Sequence, residues 1–138
     1  MAGNIQLEVV TPEGAVISEA VEIVVAPGTM GEFGVLVGHT PFLTTLKLGT
    51  IRYKDAQNQE HWVFVSGGFA EALPDRVTVL AESAERREDI DLERAKSALE
   101  RAKRRLAGEV EKDIDFIRAK AALDRALHRV KLAEAKLR

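Results

Sequence analysis

The chain has no cysteine among its 138 residues. This excludes disulfides, thiolate metal sites and cysteine nucleophiles, and it fits a reducing compartment. No apolar run approaches the roughly 20 residues that a spanning helix needs. The start, Met1 to Gln6, has neither a basic stretch nor an apolar one, so no secretory leader is expected. Net charge is also small, at −2, and says little by itself. With 46% hydrophobic and 30% charged residues, the composition is that of a folded chain, neither disordered nor membrane-embedded.

The charge that is present is unevenly spread. Residues 1–84 carry 10 acidic and 4 basic side chains, a balance of −6. Residues 85–138 carry 12 acidic and 16 basic ones, a balance of +4. An acidic part followed by a basic part suggests two units with different partners, with the boundary near Glu85. The first unit is 1–84 and the second 85–138.

The two parts also differ in hydrophobic period. Ile5, Leu7 and Val9 alternate with polar residues, as do Val21, Ile23 and Val25. A period of two puts each set on one face of a strand. Further short strands are expected at Ile51 to Lys54, His61 to Ser66, Phe69 to Leu73 and Arg76 to Ala81. Turns are expected at Thr11 to Gly14, Asp55 to Gln59 and Pro74-Asp75. Many short strands joined by turn signals favour a sandwich or barrel.

In the second part, Leu92, Ala95, Leu99, Ala102 and Leu106 step by three and four, and Phe116, Ala119, Leu123, Ala126, Val130, Ala133 and Leu137 repeat that step. These are narrow stripes of the helix-pairing kind. Ala107-Gly108 interrupts them, so an antiparallel helical hairpin is expected. Its stripes are rich in alanine, and the buried seam is correspondingly thin. The hairpin contains an internal repeat. Residues 89–106 match 113–130 with 11 identities in 18 positions. The fold class is therefore α+β: a mainly β N-terminal domain, then a two-helix hairpin.

Candidate sites are few. Gly28, Gly31, Gly34 and Gly38 superficially resemble a phosphate loop. Such a loop needs a helix N-terminus directly after it, whereas Val35-Leu36-Val37 and Thr40-Pro41 follow here, so turns and bulges are the better reading. His39, His61 and His128 show no metal-ligand spacing. No nucleophile and base order suggests a catalytic site, and no metal site is expected. Asp89 or Asp91 is placed to cap the first helix. Lys103-Arg104-Arg105 raises the alternative of a nucleic-acid-binding hairpin. The 12 acidic residues interleaved with 16 basic ones, and a single aromatic in the hairpin, Phe116, argue against it.

The segment from Pro27 to Leu43, PGTMGEFGVLVGHTPFL, resembles the signature of the ATP synthase epsilon subunit. Leu46 to Gly49, Val65 to Glu71 and Val77 to Ala81 are similar to further segments of that family, in order. So is Ile90-Asp91-Leu92-Glu93-Arg94-Ala95, which opens the first helix. Val37 and Thr40 depart from the commoner Pro and Ala. The resemblance implies a flattened sandwich of about ten strands. It further implies a non-catalytic rotor subunit of a proton-translocating F-type ATP synthase, binding the gamma subunit and the c-ring. The hairpin would be mobile and would inhibit ATP hydrolysis by reaching the catalytic alpha and beta subunits. The implied location is peripheral, on the cytoplasmic side of a bacterial plasma membrane.

Some bacterial members of that family bind ATP in the folded hairpin. Carried over residue by residue, the implied ATP site is Glu85, Ile90, Asp91, Arg94, Ala95, Arg101, Arg125 and Arg129. Arginines on two helices suit phosphate oxygens through charge-assisted hydrogen bonds. ATP would act as a regulatory ligand, with the need for magnesium left open, and not as a catalytic cofactor. His39, Arg104, Arg105 and Arg118 are the further candidates for contact with other subunits.

Overall fold

The computed structural model describes residues 3–109 and 113–136. Seven strands come first: β1 (Ile5–Thr11), β2 (Gly14–Gly28), β3 (Gly31–Leu36), β4 (Phe42–Asp55), β5 (Glu60–Leu73), β6 (Arg76–Ala81) and β7 (Ala84–Arg86). A 3-10 turn, Arg87–Asp89, leads to α1 (Leu92–Arg104). A π-type turn, Arg105–Glu109, ends it, and α2 (Asp113–Glu134) follows.

The strand pairings close on themselves. In the order β1-β6-β5-β4-β2 each strand pairs with the next, and β1 also pairs with β2. The β1–β6 pair is parallel, and the others are antiparallel. Closure of this kind leaves few unpaired edges. β3 adds to the second half of β2, and β7 adds to β5 at Val63, Phe64 and Val65.

The expected count of about ten strands becomes seven among the described residues. The reason is continuity. β2, β4 and β5 run for 15, 14 and 14 residues and pair with different neighbours along their length. β2 meets β1 through Gly14 to Val21 and β3 through Ile23 to Gly28. β5 meets β7 at Val63 to Val65 and β6 from Gly68 to Leu73. Ser66-Gly67-Gly68, between the two strands expected at His61 to Ser66 and Phe69 to Leu73, thus lies within one strand. Gly67 and Gly68 take φ of 119° and 131°, a region that L side chains avoid, so the strand bends without ending.

Alternation builds the core of this unit. Ile5, Leu7 and Val9 point inward from β1, as do Val77 and Val79 from β6, and all five are fully buried. Ile51 and Tyr53 from β4 and Val63 and Val65 from β5 join them. Ala84–Arg86 pairs with β5, so this segment belongs to the sheet, and the contacts divide between Arg87 and Glu88.

The hairpin is the second unit. Asp91 is its N-cap: its carboxylate accepts a hydrogen bond from the Arg94 N–H at 3.1 Å. At the far end of α1, Gly108 has φ of 100°, which breaks the helical path and reverses the chain. The seam between the helices buries Ala95, Leu99, Ala126 and Val130, with Leu92, Ala98, Leu123 and Leu127 packed around them. Lys96 reaches Glu134 across the seam at 3.5 Å, as the antiparallel arrangement of the helices allows.

Candidate functional site

Leu92, Ala95, Leu99 and Ala102 occupy one stripe of α1, so its remaining positions face outward with their charges. Arg94 and Arg101 are exposed two turns apart on α1. With Lys96, Ser97, Glu100 and Arg104, Arg101 lines a shallow open depression along the helix. Lys103 pairs with Glu100 at 3.4 Å, and on α2 Lys120 pairs with Asp124 at 2.7 Å. Both pairs are exposed and contribute only a few tenths of a kcal/mol, about 0.3–0.5 each.

The residues of the implied ATP site fall into distinct settings. Asp91 and Arg94 come together, but through the cap: the carboxylate bonds the backbone of Arg94. Ala95 lies in the seam and is a packing residue. Ile90 is half-buried. Arg125 and Arg129 are half-buried, one turn apart on α2. Glu85 belongs to the sandwich, where it stands opposite Phe64 in the β5–β7 ladder. Arg104, Arg105 and Arg118 are exposed. Among the described residues, no cluster of His, Asp and Glu is arranged to hold a metal ion.

His39 sits half-buried between β3 and β4. Its Nδ1 meets the Thr40 carbonyl, and its ring meets that of Phe42 edge-on, 4.9 Å between centroids. Phe42 in turn packs edge-to-face on Phe33 at 5.1 Å. His39 is held as part of a small aromatic cluster. On α2, burial pushes the His128 imidazole below its ordinary pKa, and the nearby Lys131 charge acts in the same direction.

Two features of the sandwich escaped the sequence. The first is a polar relay around Tyr53. Its hydroxyl donates to the Glu19 carboxylate, and Arg86 Nη1 donates to the same hydroxyl at 3.4 Å. His61 stacks on the Tyr53 ring at 4.8 Å and holds Asp55 at 2.8 Å. The His61 hydrogen bond, with backbone bonds from Gln59 and Gln57, keeps Asp55 below the usual carboxylate range. The second is an apolar patch. Phe69 pairs directly with Leu80, and Leu43 lies diagonally across from Phe69 on the same sheet. All three side chains are exposed. Exposed large hydrophobics grouped on one face mark an interaction surface.

The chain matches two family models end to end. Residues 4–87 match the β-sandwich domain of the ATP synthase delta/epsilon chain. Residues 88–134 match its long α-helix domain. An ATP synthase epsilon chain of Desulfosudis oleivorans is 65% identical over 77% of this chain and 80% of its own length. That of Desulfatibacillum aliphaticivorans is 68% identical over 77% and 75%. Among solved structures, a chain of the Euglena gracilis mitochondrial ATP synthase superposes with a TM-score of 0.75 at 25% identity, over 90% of this chain and 78% of that one. A chain from the central stalk and c-ring of the Tetrahymena thermophila mitochondrial enzyme shares the fold, with a TM-score of 0.62 at 10% identity, over 94% and 96%. The chain therefore belongs to the ATP synthase delta/epsilon family, among the epsilon chains of bacterial F-type enzymes, which are stalk subunits and not catalytic ones.

Proposed function

We propose that this chain is a rotor subunit whose sandwich couples the c-ring to the gamma shaft and whose hairpin restrains ATP hydrolysis. The contrast between the two units carries the reading. The sandwich is a closed sheet whose core of 18 buried residues is mostly valine, isoleucine, leucine and tyrosine, with four alanines. The hairpin is held by a seam in which two of the four buried residues are alanine. An element with so little apolar area to lose opens at small cost, while the sandwich stays intact. The exposed Leu43, Phe69 and Leu80 offer the sandwich an apolar docking surface for a stalk partner such as the gamma subunit. Both solved relatives are chains of ATP synthase assemblies that contain a c-ring.

ATP is the proposed regulator of the hairpin. A ligand that binds only the closed form stabilises it by RT ln(1 + [L]/Kd), about 2.7 kcal/mol at a hundredfold excess over Kd. Arg94 and Arg101 on α1, with Arg125 and Arg129 on α2, supply the cationic donors for its phosphates. When ATP is scarce the hairpin opens, and the extended helices carry the exposed Arg104, Arg105 and Arg118 to acidic surfaces of the catalytic head. The peripheral cytoplasmic location at a bacterial plasma membrane follows from this role.

The test is reconstitution. The ATPase rate of the complex is compared with the full chain and with a chain ending at Arg87, where the sandwich ends. The truncated chain should assemble and leave hydrolysis unrestrained. Equal inhibition by both would remove the hairpin from the regulatory role.

A further inference from the structure

The internal repeat has a structural consequence for partner choice. Of the α1 residues that form the seam, all but Leu92 recur unchanged 24 positions later in α2. Ala95, Lys96, Ala98, Leu99 and Ala102 recur as Ala119, Lys120, Ala122, Leu123 and Ala126. The side chains with which α1 grips α2 are therefore written a second time, in α2 itself. A second copy of α2 is thus able to take the place of α1.

Three observations agree with that substitution. First, Lys96 meets Glu134 across the seam at 3.5 Å. Its counterpart Lys120 would meet Glu134 of the second copy in the same way, and symmetry would make the contact twice. Second, the α2 stripe is nearly a palindrome about Ala126, reading Ala119, Leu123, Ala126, Val130, Ala133. An antiparallel pair of such stripes sets leucine against valine on both sides of a central alanine pair, as a two-fold axis requires. Third, Phe116 is 59% exposed in the closed hairpin. It stands at the position equivalent to Leu92, which packs against the seam. In the pair between copies Phe116 takes the role of Leu92 and becomes covered.

We propose that α2 is a self-complementary surface, and that when the hairpin opens it pairs antiparallel with α2 of a second copy. The tethered α1 competes at high effective concentration, so the pair forms in a concentration-dependent way.

The experiment uses the full chain, which has no cysteine of its own. Ala126→Cys places a thiol beside the two-fold axis, next to its own copy. Mild oxidation should give a covalent dimer whose yield rises with protein concentration. Ala121→Cys, exposed on the outer side of α2, should give far less. Lys120→Glu sets like charges against Glu134 of the other copy, while within the closed hairpin Lys120 bonds only Asp124 of its own helix among the ion pairs described. It should lower the dimer yield several-fold. Sedimentation of the unsubstituted chain gives an independent readout. A strict monomer at all concentrations overturns the proposal. So does crosslinking of the Ala121→Cys chain as readily as of the Ala126→Cys chain, or indifference to the charge reversal.

Discussion

Gly68 is the point at which the sandwich is least tolerant of a single added carbon. It lies within β5 at φ of 131°, and a Cβ built there falls 2.0 Å from the Leu80 carbonyl oxygen and 2.9 Å from Ala81 Cα. Both obstacles are backbone atoms of β6, paired with β5 at this position, so neither yields as a flexible side chain would. Gly14 has the same φ of 131° but nothing within 4 Å of its Cβ. Gly14→Ala therefore isolates the conformational strain, about 1–3 kcal/mol. Gly68→Ala adds overpacking of about 1–3 kcal/mol more. Urea unfolding followed by the fluorescence of Trp62, the single tryptophan and a β5 residue, reports on this unit. Gly68→Ala should lose clearly more stability than Gly14→Ala, roughly 2–6 kcal/mol in total, a large share of the 5–15 typical of a domain. Equal losses at the two positions would refute the assignment of a backbone clash.

Other outcomes follow from the cap and the titrating groups. Asp91→Ala removes the acceptor for the Arg94 N–H and should cost the hairpin about 1 kcal/mol, while Asp91→Asn should cost less; thermal unfolding followed by circular dichroism separates them. The Tyr53 hydroxyl is pushed well above its ordinary pKa by burial and by the Glu19 carboxylate. As the single tyrosine, it should show no tyrosinate absorbance on alkaline titration until the sandwich unfolds. His128 is held below its ordinary pKa of 6.5 in the folded hairpin, so the unfolded form takes up the proton first. Hairpin stability should therefore fall as pH drops through about 6.5, and His128→Gln should flatten that dependence. A hairpin more stable at pH 5.5 than at pH 7.5 would contradict the sign.

The sequence pattern exposed the hairpin more fully than the sandwich. A stripe of period 3.6 needs only one helix to declare itself, and the seam residues Ala95, Leu99, Ala126 and Val130 were all on it. Strands need partners, and two of them hid their extent. Phe42 and Leu43 open β4 without clean alternation because Leu43 faces outward on the apolar patch. Ser66-Gly67-Gly68 looked like a break, since glycine usually ends a strand, but here its positive φ allows β5 to bend and continue. The relay of Glu19, Tyr53 and Arg86 left no local trace, because its members are 34 and 33 residues apart. Of the implied ATP residues, Asp91 carried a readable signal as a helix cap, while the placement of Ala95 in the seam is a matter of packing that the motif alone does not separate from ligand contact.

The most direct test of a nucleotide-sensing hairpin is calorimetric titration of the full chain with ATP, with and without magnesium, beside the Asp91→Ala, Arg94→Ala double variant. A nucleotide-sensing hairpin gives saturable one-to-one binding with no hydrolysis, greatly weakened in the double variant. No binding at millimolar ATP, or unchanged affinity in the variant, would contradict it and leave Asp91 as a helix cap alone.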